Sequence, residues 1–150
     1  MFLITAFFIL FNTSSNSPFL DEVRKSYAKA MEDKVVCEQL YQKVSASNNS
    51  QAIYSAYKGA LTMGLAKHTP VIHKKMEYVN QGKVLLDNAV KSDPTNVEIR
   101  FLRFTIQSNL PSILGYNKNL TEDKGFITAN LNSIENPEQK REIEGFLKEH

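Results

Sequence analysis

The sequence predicts an all-α domain of six or seven antiparallel helices, arranged as a helical-hairpin array or as an irregular bundle. Three observations lead to this prediction. After Ser17, apolar residues recur every three to four positions, which is the period of an amphipathic helix. No run alternates apolar and polar residues as a half-buried strand would. Capping residues precede the apolar stripes, and the short connections make consecutive helices antiparallel neighbours.

The first three predicted helices lie before Thr69. Ser17 and Pro18 form a cap followed by a first-turn proline, and Asp33 starts or bends the second helix. A polar turn at 45–50 separates the second helix from a third, over residues 51–67. The third helix is rich in small residues, which allow a neighbouring helix to approach closely. These are Ala52, Ala56, Gly59, Ala60 and Gly64.

The fourth predicted helix is long and runs to about Ser92. Thr69 and Pro70 again place a cap before a proline and are expected to open it. The stem of Lys83 can cover apolar surface while its ammonium group reaches water. The inner stripe of this helix is expected to contain Ile72, Met76, Val79, Lys83, Leu86 and Val90.

The fifth predicted helix, from Val97 to Ser108, is apolar on two nearly opposite sides. The two stripes consist of Val97, Phe101 and Phe104, and of Ile99, Leu102 and Ile106. A helix that is apolar on two sides is packed on two sides. We therefore expect this helix to be the most apolar and the central element of the domain.

Two shorter helices follow a loop at 109–120. Thr121 is expected to cap the first of them, with Glu122 and Asp123 placed favourably for the helix dipole. Asn136 and Pro137 repeat the cap and first-turn proline, and they open a terminal helix.

Four residues around the fourth helix give the chain a family resemblance. Gly82, Leu86, Ala89 and Pro94 have the spacing of a small residue, a large apolar residue, an alanine and a terminating proline. This pattern resembles the second helix of a tetratricopeptide repeat, and it implies a helical-hairpin array that binds other proteins. Residues 98–103, with later matches at 109–111, 115–116 and 123–124, resemble a group of uncharacterised exported bacterial proteins, a resemblance that points to no particular activity.

The N-terminal residues predict export. Residues 2–11 read FLITAFFILF, a run that is too short to cross a bilayer but that suits the apolar region of a signal peptide. We expect residues 1–16 to be a signal peptide cut near Ser15, and residues 17–150 to form a single all-α domain in the periplasm or outside the cell. Because no Lys or Arg precedes the run, the alternatives are retention as an uncleaved anchor and the start of a buried helix.

The charges and reactive residues argue against several function classes. The net charge of +2 is too balanced to predict nucleic-acid binding, and contact with a membrane is expected only during export. Cys37 is the only cysteine and is expected to be a small core residue. His73 and Glu77 are four residues apart, but they supply at most two metal ligands and are expected to be a solvated pair. With no catalytic motif, the sequence predicts no metal, no cofactor and no enzyme activity.

The polar strip on the fifth helix is the main candidate site. Arg100, Arg103 and Gln107 lie on a helix that is expected to be largely buried. One hypothesis is that Glu122 or Asp123 pairs with the arginines; the other is a basic slot for the carboxylate of a peptide or small ligand. Tyr116 and Lys118 in the following loop are the other candidate contacts, although Tyr116 could instead pack back onto the helices.

Three functions follow from these observations. The first is a non-catalytic exported scaffold that binds another protein or peptide. The second is a binding protein for a small molecule or a peptide carboxylate, with a pocket between helices. The third and weakest is an uncharacterised enzyme.

Overall fold

The computed structural model describes residues 17–150 and confirms the all-α prediction. Seven α-helices follow one another without a strand in this part of the chain. They are α1 (Pro18–Glu32), α2 (Lys34–Ala46), α3 (Ala52–His68), α4 (Ile72–Ser92), α5 (Val97–Asn109), α6 (Leu120–Ala129) and α7 (Pro137–Glu149). The predicted signal peptide, residues 1–16, lies outside the described residues.

Four of the predicted helix starts are confirmed by capping hydrogen bonds. The hydroxyl of Ser17 accepts from the Leu20 amide, and the Asp33 carboxylate accepts from the first amides of α2. Asn96 and Asn136 cap α5 and α7 through their side-chain oxygens. Each cap satisfies an amide that has no partner within its helix.

Two predicted helix starts are wrong. Thr69 ends α3, because its amide donates to the Leu65 carbonyl, and α4 begins only at Ile72. Pro70 therefore precedes the helix instead of lying in its first turn. Thr121 lies inside the first turn of α6, which begins at Leu120 after Asn119.

The central helix is α3, and the prediction that α5 holds this place is wrong. α3 packs against α1, α2, α4 and α5, and twelve of its 17 residues are buried. Small residues let neighbours approach α3 from several sides, whereas the arginines of α5 give that helix a polar strip. No helix of residues 17–150 is long and apolar enough to cross a membrane.

The two apolar stripes of α5 are confirmed. Ile99, Leu102 and Ile106 belong to the main core, which α1 to α4 also form. The opposite stripe belongs to a second cluster with α6 and α7, whose buried members are Val97, Phe104, Ile127 and Ile143. α5 therefore joins the two cores.

Glycines permit the closest helix contacts, as the small-residue pattern predicted. A Cβ atom on Gly82 of α4 would lie 3.0 Å from the Gly59 carbonyl oxygen and 2.9 Å from Met63 Cγ. A Cβ on Gly64 would lie 2.8 Å from Cys37 Sγ. α3 and α4 cross at the first contact, and the second lets α2 approach α3 while burying Cys37 completely.

The predicted inner stripe of α4 is only partly correct. Val79, Leu86 and Val90 are buried, but Ile72 is 78% exposed and Met76 is 39% exposed. The reason is length. α4 has 21 residues and α5 has only 13, and every residue from 70 to 77 is exposed. The first two turns of α4 thus extend beyond the core.

Candidate functional site

A buried carboxylate holds both arginines of α5. Asp123, which is fully buried, accepts from Nε and Nη2 of Arg103 at 2.7 and 2.8 Å. It also accepts from Nη1 of Arg100 at 2.9 Å, and the same nitrogen donates to Glu122 at 2.7 Å. α6 begins at Leu120, so its first turn presents both Glu122 and Asp123 to α5. Pairing with Glu122 and Asp123, the first of the two hypotheses, therefore occurs.

A second carboxylate extends this cluster to α4 and to the loop. Asp87 of α4 lies 3.3 Å from Nη1 of Arg103 and accepts from the Tyr116 hydroxyl at 2.9 Å. Lys83, one turn earlier, donates to the Leu114 carbonyl at 2.6 Å and lies over the Tyr116 ring. Tyr116 is buried and packs back onto the helices. We call these side chains the arginine cluster; they are Lys83, Asp87, Arg100, Arg103, Tyr116, Glu122 and Asp123.

The electrostatics of the cluster favour its charged pairs. Burial opposes the charge of Arg103, but the hydrogen bonds and charge of Asp123 outweigh it and raise the Arg103 pKa. The hydrogen bond from Arg100 lowers the pKa of Glu122. Burial, with Asp87 nearby, raises the pKa of Tyr116, so this hydroxyl stays protonated as a donor. The cluster is a compensated ion-pair network between α4, α5 and α6.

The remaining predicted site residues lie at the edge of the cluster or outside it. Gln107 is buried, and its Nε2 donates to Asn119 Oδ1 at 3.3 Å, while its Oε1 has no hydrogen-bond partner. Lys118 is exposed in the loop. The structure thus brings Arg100, Arg103 and Tyr116 together, and Lys118 takes no part in the hydrogen bonds that join them.

A second ion-pair network was not predicted from the sequence. Arg24 of α1 donates from Nε and Nη2 to Glu98 of α5 at 2.8 and 2.7 Å. The Tyr57 hydroxyl of α3 donates to the same carboxylate at 2.7 Å, and burial, followed by the Glu98 charge, raises the Tyr57 pKa. Arg24 and Glu98 are 74 positions apart, so no local spacing indicates this pair.

A groove lies between α2 and α4. It has a volume of about 630 Å³, and its floor includes Leu65 of α3. Tyr41 and Tyr78 stand on its two walls, with polar side chains around them. We call it the α2–α4 groove; its lining residues are Glu38, Gln39, Tyr41, Gln42, Lys43, Leu65 and Tyr78.

A smaller cavity lies between α5 and α6. It measures about 510 Å³, with Phe104 and Leu120 as apolar lining and Lys124 and His150 as basic lining. Ser108 also lines it, and the hydroxyl of Ser108 is buried without a hydrogen-bond partner. Sequence reasoning missed this cavity because its residues come from three separate segments.

The reactive side chains do not converge within residues 17–150. No group of three His, Cys, Asp or Glu side chains is placed there to hold a metal ion. His73 and Glu77 are both exposed, and Glu77 accepts from Gln81. Burial raises the pKa of the Cys37 thiol to about 11, which makes it a poor nucleophile.

No protein-family model matches this chain, and neither a curated protein nor a solved structure matches it.

Proposed function

We propose that this chain is a non-catalytic, exported helical domain that binds another protein or peptide, with tetratricopeptide-like hairpins as its framework. The α2–α4 groove is the observation that carries the proposal. Two tyrosines face a leucine floor in this groove, and exposed polar side chains surround them. Binding surfaces commonly combine aromatic residues at the centre with a polar rim.

The contacts within the arginine cluster argue against a carboxylate slot there, and so they favour a binding surface elsewhere on the molecule. A slot for a ligand carboxylate needs guanidinium donors that face solvent. Here Asp123 occupies the donors of Arg103, and Arg100 is held by Asp123, Glu122 and the Pro94 carbonyl. An incoming carboxylate would have to displace a bidentate, fully buried partner.

Affinity capture with groove variants tests the proposal. The full chain is tagged and recovered from its host, and the captured proteins are compared by mass spectrometry. Gln42→Arg adds a bulky charge to the groove rim, and Gln81→Arg adds the same charge to an exposed site of α4 outside it. We expect a reproducible partner that Gln42→Arg loses and Gln81→Arg retains. Capture of no partner, or equal capture by both variants, contradicts the proposal.

Export is tested separately at the N-terminus. If residues 1–16 are a cleaved signal peptide, the protein recovered from the native host starts near Asn16. Mass spectrometry of its N-terminal peptide gives this position directly. An intact Met1 contradicts cleavage.

A ligand-binding role is the second candidate, and the cavity between α5 and α6 favours it. Its basic lining and the unpartnered Ser108 hydroxyl suit a carboxylate attached to an apolar group. Calorimetric titration with a short peptide that ends in a phenylalanine carboxylate tests this role. Binding that Lys124→Glu abolishes favours it, and the absence of binding heat counts against it.

A further inference from the structure

Exposed apolar side chains gather at one end of the molecule. Six large hydrophobic residues are exposed within residues 17–150, and four of them lie at or beside the connection between α3 and α4. These four are Val35, Val71, Ile72 and Met76, with exposed fractions of 59%, 39%, 78% and 39%. Val35 lies in the first turn of α2, next to the α1–α2 turn. This turn lies beside the end of α3, because Lys67 Nζ donates to the Met31 carbonyl at 2.8 Å.

Basic side chains surround this apolar tip. From residue 39 to residue 76 the chain contains five lysines and neither Asp nor Glu. Three of these lysines, Lys67, Lys74 and Lys75, are exposed at the tip. We call residues 67–76 the α3–α4 corner.

Three acids beside the corner or in the neighbouring α1–α2 segment form contacts within the chain, whereas Glu32 of that segment is exposed. Glu77 accepts from Gln81, and Glu38 pairs with Lys34 at 3.8 Å. The Asp33 carboxylate accepts from the Val35 and Val36 amides. The corner itself, residues 67–76, contains three lysines and neither Asp nor Glu, so its own charge is positive.

The shape of the corner selects the kind of partner. A peptide or small ligand binds in a concave site that surrounds it. The corner is the opposite, because residues 70–77 are exposed without interruption and extend past the core. A second copy would bring equal positive charges together. A lipid surface accepts a protruding apolar tip into its acyl boundary, and anionic headgroups attract the lysines around it.

We propose that the α3–α4 corner docks on an anionic membrane surface, with Val71, Ile72 and Met76 inserted among the lipids and Lys67, Lys74 and Lys75 at the headgroups. This contact goes beyond the proposed function. It also goes beyond the expectation that the chain meets a membrane only during export.

Vesicle co-sedimentation of the full chain tests the proposal. We expect binding to vesicles that mix phosphatidylglycerol into phosphatidylcholine, and much weaker binding to pure phosphatidylcholine. Lys74→Gln with Lys75→Gln should lower the partition coefficient on anionic vesicles roughly 30-fold, because each lysine near such a surface contributes about a factor of five. Ile72→Ser with Met76→Ser should lower it at least tenfold.

Matched controls lie on the same helix. Val84→Ser with Lys91→Gln removes an exposed valine and an exposed lysine from α4 away from the corner, and it should leave the partition coefficient unchanged. Residues 2–11 are present in every variant, so their effect on sedimentation cancels in the comparison. Equal binding by the corner variants and the control, or no binding to anionic vesicles, overturns the proposal. Gln42→Arg should bind anionic vesicles at least as strongly as the parent, which separates this result from a failure of the groove hypothesis.

Discussion

Replacing Asp123 by asparagine removes the charge on which both arginines of α5 depend. Asp123 is fully buried and accepts three hydrogen bonds, two from Arg103 and one from Arg100. Breaking a buried ion pair by removing one partner costs about 3–5 kcal/mol, because the other charge stays buried. Asp87 and Glu122 remain as weaker partners for the two guanidiniums. We therefore expect Asp123→Asn to lower the free energy of unfolding by about 3 kcal/mol, the lower end of this range.

Urea denaturation followed by circular dichroism measures this difference, and equal slopes of the transitions make the midpoints comparable. Glu122→Gln is the matched control. The Glu122 side chain is 61% exposed, so its loss should cost less than about 1 kcal/mol. An Asp123→Asn variant that is no less stable than Glu122→Gln would contradict this role of Asp123. Arg103→Met combined with Asp123→Leu should restore much of the stability, because an apolar pair can replace a buried ion pair.

Three further predictions concern a helix crossing, a buried thiol and an ion pair. Gly82→Ala should destabilise the fold by about 1–3 kcal/mol, because the new Cβ would meet Met63 and a backbone carbonyl. Gly125→Ala, which has open space around it, should be neutral or stabilising. Thermal denaturation of both variants measures the difference. Cys37 is fully buried and its pKa is raised to about 11, so iodoacetamide should alkylate it slowly in the native protein and rapidly in urea; equal rates would contradict this burial. The hydrogen bond from Arg100 lowers the Glu122 pKa. The stability that this pairing contributes is therefore present above the ordinary glutamate pKa and is lost as the pH falls through the lowered value. The unfolding free energies of the parent and Glu122→Gln should differ at neutral pH and converge in acid, and a difference that stays constant with pH would contradict this pairing.

Local patterns predicted the helices and several of their ends. A cap such as Asn96 acts within one turn, so its hydrogen bond to Ile99 depends only on neighbouring residues. The two stripes of α5 were also correct, because side-chain direction on a helix follows from its period. The pairing of Arg103 with Asp123 was a named alternative, since a buried guanidinium needs an acceptor and the acids follow closely in sequence.

Relative helix lengths and distant pairs could not be predicted in this way. Ile72 and Met76 continue the apolar stripe of α4, but their exposure depends on whether another helix covers this end of α4, which a local pattern does not show. Thr69 could cap the following helix or end the preceding one, and the extent of α3 decided between these roles. The Arg24–Glu98 pair requires α1 and α5 to meet, which is a property of the whole packing.

Photocrosslinking within the native host tests most directly whether a partner protein binds in the α2–α4 groove. A photoreactive residue replaces Gln42 in the groove or, as the comparison, Lys118 in the exposed loop beside the arginine cluster. We predict a discrete crosslinked protein from position 42 and none from position 118. A crosslink from position 118 alone, or from neither position, would contradict the assignment of the partner surface to the groove.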